Sequence, residues 1–138
     1  MRKIKNNTGI EEQRARKEKK TRVLFCCAAN MCRSPTGEHL LGLVKGYDVR
    51  SVGVCKGARV EVSQKLLNWA DVVFVMEYWM KEQLLLHFRV RADKIKVLGI
   101  KDRHFYGEPE LVKTIADRLK RQGIDAANAV DEFAKRLS

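Results

Sequence analysis

Cys27 and Arg33 are the residues whose types and spacing could do covalent chemistry. An apolar, β-prone run, Val23-Leu24-Phe25, ends in Cys26-Cys27; Arg33 follows six residues after Cys27, then Ser34-Pro35 and a stretch with helical periodicity. The order is strand, loop, helix. Proline at a first helical position loses nothing, because the first amides of a helix have no intrahelical partner, and Ser34 before it is the expected cap. A loop on a helix N-terminus suits a dianion. Amides of Ala28, Ala29, Asn30, Met31 and Cys32 can turn inward as a nest, the helix dipole adds partial positive charge, and Arg33 offers a planar fork matched to two phosphate oxygens. The same field favours a nucleophilic thiolate at Cys27. The competing interpretation is a buried cysteine ending a core strand, with Arg33 a surface charge; it needs strand, Cys-x5-Arg-Ser and helix start to coincide by chance.

The elements that must position this pair alternate along the chain. Residues 35 to 45 place Leu40, Leu41 and Val44 on one helical face, with Gly46 as the stop, and residues 47 to 52 read as a short strand near a sheet edge. Ser63 can cap a helix carrying Leu66, Leu67 and Ala70, ended by Asp71. Val72-Val73-Phe74-Val75-Met76 is a continuous apolar run, as expected of a central parallel strand covered on both faces. Met80, Leu84 and Phe88 recur at helical spacing, Ile95-Lys96-Val97-Leu98 is a fourth strand, and Pro109 opens a helix with Leu111, Val112, Ile115 and Leu119 inward and Gly123 as its stop. A last helix carries Ala127, Val130, Phe133 and Leu137, and both final helices are expected to pack on the sheet. The expected fold is α/β: a single three-layer domain, a four-stranded parallel sheet flanked by helices, with a phosphate-binding loop after the first strand. Ligands of such sheets sit at the strands' C-terminal ends, where Cys27 lies.

Cys27-Ala28-Ala29-Asn30-Met31-Cys32-Arg33-Ser34-Pro35 resembles the phosphate-binding loop of the low-molecular-weight protein tyrosine phosphatases, including the internal asparagine, the second cysteine and the Ser-Pro exit. Cys-x5-Arg alone occurs in unrelated phosphatase folds; its place after the first strand, with Asn30, Cys32 and Ser34-Pro35, narrows the likeness to this family. The family usually has glycine where this chain has Ala29. Ser51-Val52-Gly53-Val54 resembles the Ser-Ala-Gly-Thr turn that closes the family's second strand, and Gly99-Ile100-Lys101-Asp102-Arg103 is similar to its Asp-Ile-Pro-Asp-Pro, with Lys101 and Arg103 in place of prolines. The likeness covers roughly residues 22 to 122.

The resemblance implies a hydrolase that attacks phosphorus with Cys27, holds the equatorial oxygens with the loop and Arg33, and protonates the leaving oxygen from Asp102. A phenolate leaves poorly at neutral pH unless a positioned acid protonates it. Water activated by Asp102 then releases phosphate from a phosphocysteine, and Ser34 stabilises the departing thiolate. Asn30 would brace the loop through its amide. The substrate-walling aromatics fall on His104 and Phe105 by direct count, or on Phe105 and Tyr106 if Gly107 is matched with one inserted residue. Two cations flanking Asp102 would shift the activity optimum downward; the competing reading is a loop aspartate paired with Arg103. Cys32 either forms a reversible disulfide with Cys27 or is a packed thiol.

The chain's 138 residues suffice for one core. Four cysteines without regular spacing, no apolar run long enough to span a membrane and no basic-then-apolar leader point to a reducing cytoplasm. Neither a cofactor nor a metal is implied: His39, His87 and His104 are scattered, and no His/Cys spacing suits zinc. The net charge of +11 is concentrated at one end, with +6 carried by residues 1 to 22. Residues 1 to 21 read as a mobile basic arm and 22 to 138 as the α/β domain. The arm is a solvated tail or a contact for an anionic partner; it lacks the interleaved aromatics of a single-strand binder.

The expected substrate is a phosphotyrosine-containing protein or small aryl phosphate. Arsenate reductases on the same fold need further cysteines, and only Cys55 is distant here. Arginine-phosphate phosphatases carry a small polar residue where this chain has apolar Met31, which suits an aromatic ring better. A third alternative is a weakly active phosphate-loop protein whose basic arm binds nucleic acid.

Overall fold

Five consecutive residues, Val23 to Cys27, are buried on both faces of their strand. That is the pattern of a central strand in a parallel sheet, and the rest of the chain wraps it. The computed structural model describes residues 19–137. Strand β1 is Thr21–Cys27, β2 Tyr47–Gly53, β3 Val72–Val75 and β4 Ile95–Val97; all pair in parallel, in the order β2-β1-β3-β4. Of the expected arm, residues 1–18 lie outside the described residues. Lys19 and Lys20 are exposed, and β1 begins at Thr21, whose amide donates to the Gly46 carbonyl at 2.9 Å.

The helices are α1 Arg33–Leu41, α2 Gln64–Trp69, α3 Tyr78–His87, α4 Pro109–Arg121 and α5 Ala127–Leu137. β1 leads to β2 on one side, and β2 then crosses back over β1 to β3 on the other. With right-handed crossovers, α1 therefore covers one sheet face and α2 and α3 the other, which makes three layers. The connections leaving β1 and β3 diverge, so a crevice opens between their C-terminal ends. Cys27 ends β1 at that crevice.

Local chemistry explains most boundaries. Ser63 caps α2, its hydroxyl accepting from the Leu66 amide at 3.2 Å. Pro109 is at the start of α4, whose Leu111, Val112, Ile115 and Leu119 are buried, and Gly123 at φ 84 follows its end. β2 is an edge strand, as expected.

Three expectations need correction. α1 begins at Arg33 and ends at Leu41, not from residue 35 to 45, because turn bonds from Leu43 to Leu40 and from Val44 to Leu41 tighten the chain before Gly46 turns it at φ 100. Ser51 to Gly53 belong to β2 and not to a turn. The last helix buries Ala129 and Phe133 rather than Ala127, with Leu137 exposed, and its main neighbours are α1 and α4, because α1 already occupies that face of β1 and β2. No helix among the described residues is long and apolar enough to cross a membrane.

α1 lies close on the sheet: a Cβ on Gly37 would stand 2.9 Å from the Phe25 ring. Phe25 in turn packs on Phe74 of β3, ring centroids 5.6 Å apart. This contact joins helix, β1 and β3 directly beneath the crevice.

Candidate active site

The loop from Cys27 to Cys32 is held by its carbonyls. Val54 donates to the Cys27 carbonyl at 2.9 Å, Cys55 to Ala28 at 3.0 Å, Arg59 to Ala29 at 3.0 Å, and the Arg59 Nε to Asn30 at 2.9 Å. In a trans peptide the carbonyl and the next amide point opposite ways. The amides of Ala28, Ala29, Asn30 and Met31 are therefore turned away from this brace, and those from Ala29 to Ser34 donate to nothing among the described residues. The bracing segment must come very close. A Cβ on Gly53 would stand 2.6 Å from the Ala28 oxygen and 2.5 Å from the Ala58 Cβ, so only glycine fits there. Asn30 is the one non-glycine residue at positive φ among the described residues, at 56°, which asparagine tolerates. Ala29 needs no such conformation and is unstrained where the resembling family has glycine.

A directed hydrogen-bond chain runs beneath the loop. The Glu38 carboxylate can only accept, so the Ser51 hydroxyl donates to it at 2.6 Å and must itself accept from the Asn30 amide at 2.9 Å. The second Asn30 N–H goes to the Ser34 Oγ, also at 2.9 Å. Ser34 thus keeps its own proton for the Cys27 Sγ at 2.9 Å or the Val52 carbonyl at 3.2 Å. A thiolate at Cys27 would draw it. Ser34 therefore does not cap the helix: the cap position falls on Cys32, without a side-chain bond, and Pro35 is the third helical residue.

Arg33 is 2 % exposed, and a buried guanidinium requires partners. Its Nη1 donates to the Glu77 carboxylate at 2.6 Å and to the Ile100 carbonyl at 2.8 Å. These groups follow β3 and β4, so the sheet's C-terminal edge holds the cation from behind. The Nε lies 3.8 Å from the Asp102 carboxylate, and Nη2 has no partner among the described residues. The Nε–Nη2 edge is the one left for an oxyanion.

The other candidates separate. Asp102 is 69 % exposed beside Arg33, while Arg103 turns to Glu110 at 3.7 Å and not to Asp102. His104 is buried, with Nδ1 at 3.1 Å from Glu108. Phe105 is 81 % exposed, and Tyr106 packs edge-on against His39 of α1, its hydroxyl bonded to the His39 Nδ1. Burial, with the nearby Glu38 charge second, raises the Tyr106 phenol above its ordinary value. Met31, 65 % exposed, stands at the loop tip, and Cys32 is half-buried. All four cysteines are free thiols. Cys26 faces away from the loop; burial, with the Cys27 charge second, pushes its thiol far up, so it is a packed, unreactive group. His104, Glu108 and Glu110 stand close enough to share a metal ion, a grouping the spacing of histidines and cysteines did not suggest; here Glu108 faces His104 and accepts from the Phe105 amide, and Glu110 faces Arg103.

Sequence reasoning missed three groups. Glu77 carried a weak signal as a lone acid just past a buried strand. Glu38 and the bracing residues Cys55 to Arg59 carried none, because their roles depend on the folded arrangement, and Val54 stood out only as part of the Ser51-Val52-Gly53-Val54 likeness.

The fold is that of the low-molecular-weight protein tyrosine phosphatases. Such a phosphatase from T. tengcongensis superposes with a TM-score of 0.56 at 21% identity, over 84% of this chain and 99% of that one. Wzb of Vibrio vulnificus in complex with benzylphosphonate gives 0.57 at 20% identity over 84% and 98%. The YwlE arginine phosphatase of Geobacillus stearothermophilus gives 0.56 at 22% identity over 85% and 92%. No protein-family model and no curated protein sequence matches the chain.

Gly53→Ala tests the brace. The added methyl must displace the Ala28–Ala29 backbone, so denaturant unfolding should show a loss of about 1–3 kcal/mol, together with weakened binding of inorganic phosphate. Unchanged phosphate affinity would separate Gly53 from the loop's conformation.

Proposed function

We propose that the chain is a cysteine-dependent phosphatase acting on aryl phosphate monoesters of the phosphotyrosine type. The observation that carries this reading is the loop itself: its carbonyls are tied outward, its amides from Ala29 to Ser34 have no partner among the described residues, and the Nε–Nη2 edge of buried Arg33 has only the 3.8 Å contact with Asp102. Nothing in the core requires that arrangement, and a tetrahedral dianion satisfies it.

In the proposed reaction the Cys27 sulfur attacks phosphorus in line, forming an S–P bond as the P–O bond to the leaving group breaks. The loop amides and the Nε–Nη2 edge of Arg33 stabilise the equatorial oxygens. Asp102, beside Arg33 and open to solvent, gives its proton to the leaving oxygen. Water then attacks the phosphocysteine, losing a proton to Asp102, and the thiolate departs with the Ser34 hydroxyl donating to it. Glu77 and the Ile100 carbonyl position Arg33 and do not touch substrate.

The aryl preference is supported by exposed apolar groups belonging to the site's own segments: Met31 at the loop tip, Phe105 three residues past Asp102, and Tyr78 next to Glu77. His104, turned inward to Glu108, leaves Phe105 as the candidate wall. An arginine-phosphate substrate, the class named for the YwlE neighbour, would present a charged guanidinium to these apolar surfaces.

Hydrolysis of para-nitrophenyl phosphate in excess chelator is expected from the native protein and absent from Cys27→Ser. Asp102→Asn should slow phenyl phosphate about 100-fold or more, and activated esters far less. Activity retained by Cys27→Ser would remove the cysteine mechanism, and equal slowing of both esters would remove Asp102 as the acid.

A further inference from the structure

The segment that carries Asp102 has a second face. Gly99, at φ 74, turns the chain out of β4. The Ile100 carbonyl and the Asp102 carboxylate then approach Arg33. Lys101 and Arg103 instead line a cavity of about 290 Å³, bounded by Gly99, Ile100 and His104 and by Thr114 and Arg118 of α4. No residue of the Cys27–Ser34 loop lines it.

Among the described residues, three cations border this cavity and no carboxylate does. Arg118 is fixed in place, Nε donating to the Leu98 carbonyl at 2.9 Å and Nη1 to Asp117 at 3.0 Å, while Nη2 has no partner among the described residues. Arg103 has one long contact, to Glu110 at 3.7 Å, and Lys101 has no ion pair among the described residues. The other polar side chains of the lining are committed elsewhere: the Thr114 hydroxyl donates to the Glu110 carbonyl at 2.8 Å, and His104 faces Glu108. A ligand would therefore meet cationic donors. Arg118 faces Asp117 and Arg103 faces Glu110 outside the lining, so an anion in the cavity would meet positive charge on the lining itself and gain from each cation.

We propose that this cavity is a second oxyanion site, for one phosphoryl or carboxylate group, on the reverse face of the segment that holds Asp102. Its occupant bridges Lys101 and Arg103, the two neighbours of Asp102, and ties them to Arg118 of α4. The site's existence does not depend on the phosphatase reading; its use by a substrate's second acidic group does. The alternative source of the same chemistry is a free oxyanion.

Titrating isotope-labelled full-length protein with inorganic phosphate and following amide resonances tests the site. Two sets of shifts with separate midpoints are expected, residues 28–34 in one and residues 99–104 with 114–118 in the other. Replacing Lys101→Gln and Arg103→Gln together should weaken the second set about tenfold and leave the first unchanged. Movement of the first set alone, or a second set indifferent to the double substitution, overturns the proposal. A second set without the first supports this site and counts against the proposed function. Phosphotyrosyl peptides with and without a second acidic group identify the source through the ratio of their kcat/KM values, in which any common effect on Asp102 cancels: a tenfold fall in that ratio in the double variant assigns the substrate's acidic group, and an unchanged ratio with the second set of shifts weakened assigns a free oxyanion.

Discussion

The outward anchoring of four consecutive carbonyls, from Cys27 to Asn30, is the constraint on which the rest of the site depends. A five-residue excursion between a strand and a helix could adopt many conformations. Tying its carbonyls to Val54, Cys55 and Arg59 selects one in which the amides converge on the opposite side. Gly53 permits the approach, and Asn30 closes the loop by bonding Ser34 and Ser51 from a left-handed backbone. The donors are thus already in place, and binding an anion there would need little reorganisation.

Topology supplies the second half of the arrangement. Because β3 lies between β1 and β4 and all three run in parallel, their C-terminal ends stand side by side, and each delivers a different group: Cys27 from β1, Glu77 after β3, Ile100 and Asp102 after β4. Arg33 connects them. Its burial would be costly alone, and its two anchors on Nη1 fix the orientation of the remaining edge. The contact of Gly37 on Phe25 sets the height of α1 above the sheet and with it the position of Arg33 at the helix start.

Much of this was legible in the chain. The continuous apolar runs at Val23–Phe25 and Val72–Met76 marked central strands, and alternation with helical periods required a parallel sheet. Cys27 and Arg33 were legible because their spacing is local. Ser34 was misread as a cap, since Ser-Pro before a helical period looks the same whether the hydroxyl faces an amide or a sulfur. The inward turn of His104 was hidden for a related reason: Glu108 lies four residues on in a non-helical segment, and only the fold shows that the two side chains meet. The brace and Glu38 act through main-chain placement and long-range pairing, and no local pattern of residue types encodes either.

The central claim is that Cys27 itself carries the phosphoryl group. Mixing the protein with an aryl phosphate, quenching in acid within a turnover and mapping the phosphoryl adduct by fragment-ion mass spectrometry tests it most directly. The account predicts the adduct on Cys27, and none on Cys26 although it is the adjacent residue. A phosphoryl group on a different side chain, or turnover with no protein adduct at any quench time, would contradict it.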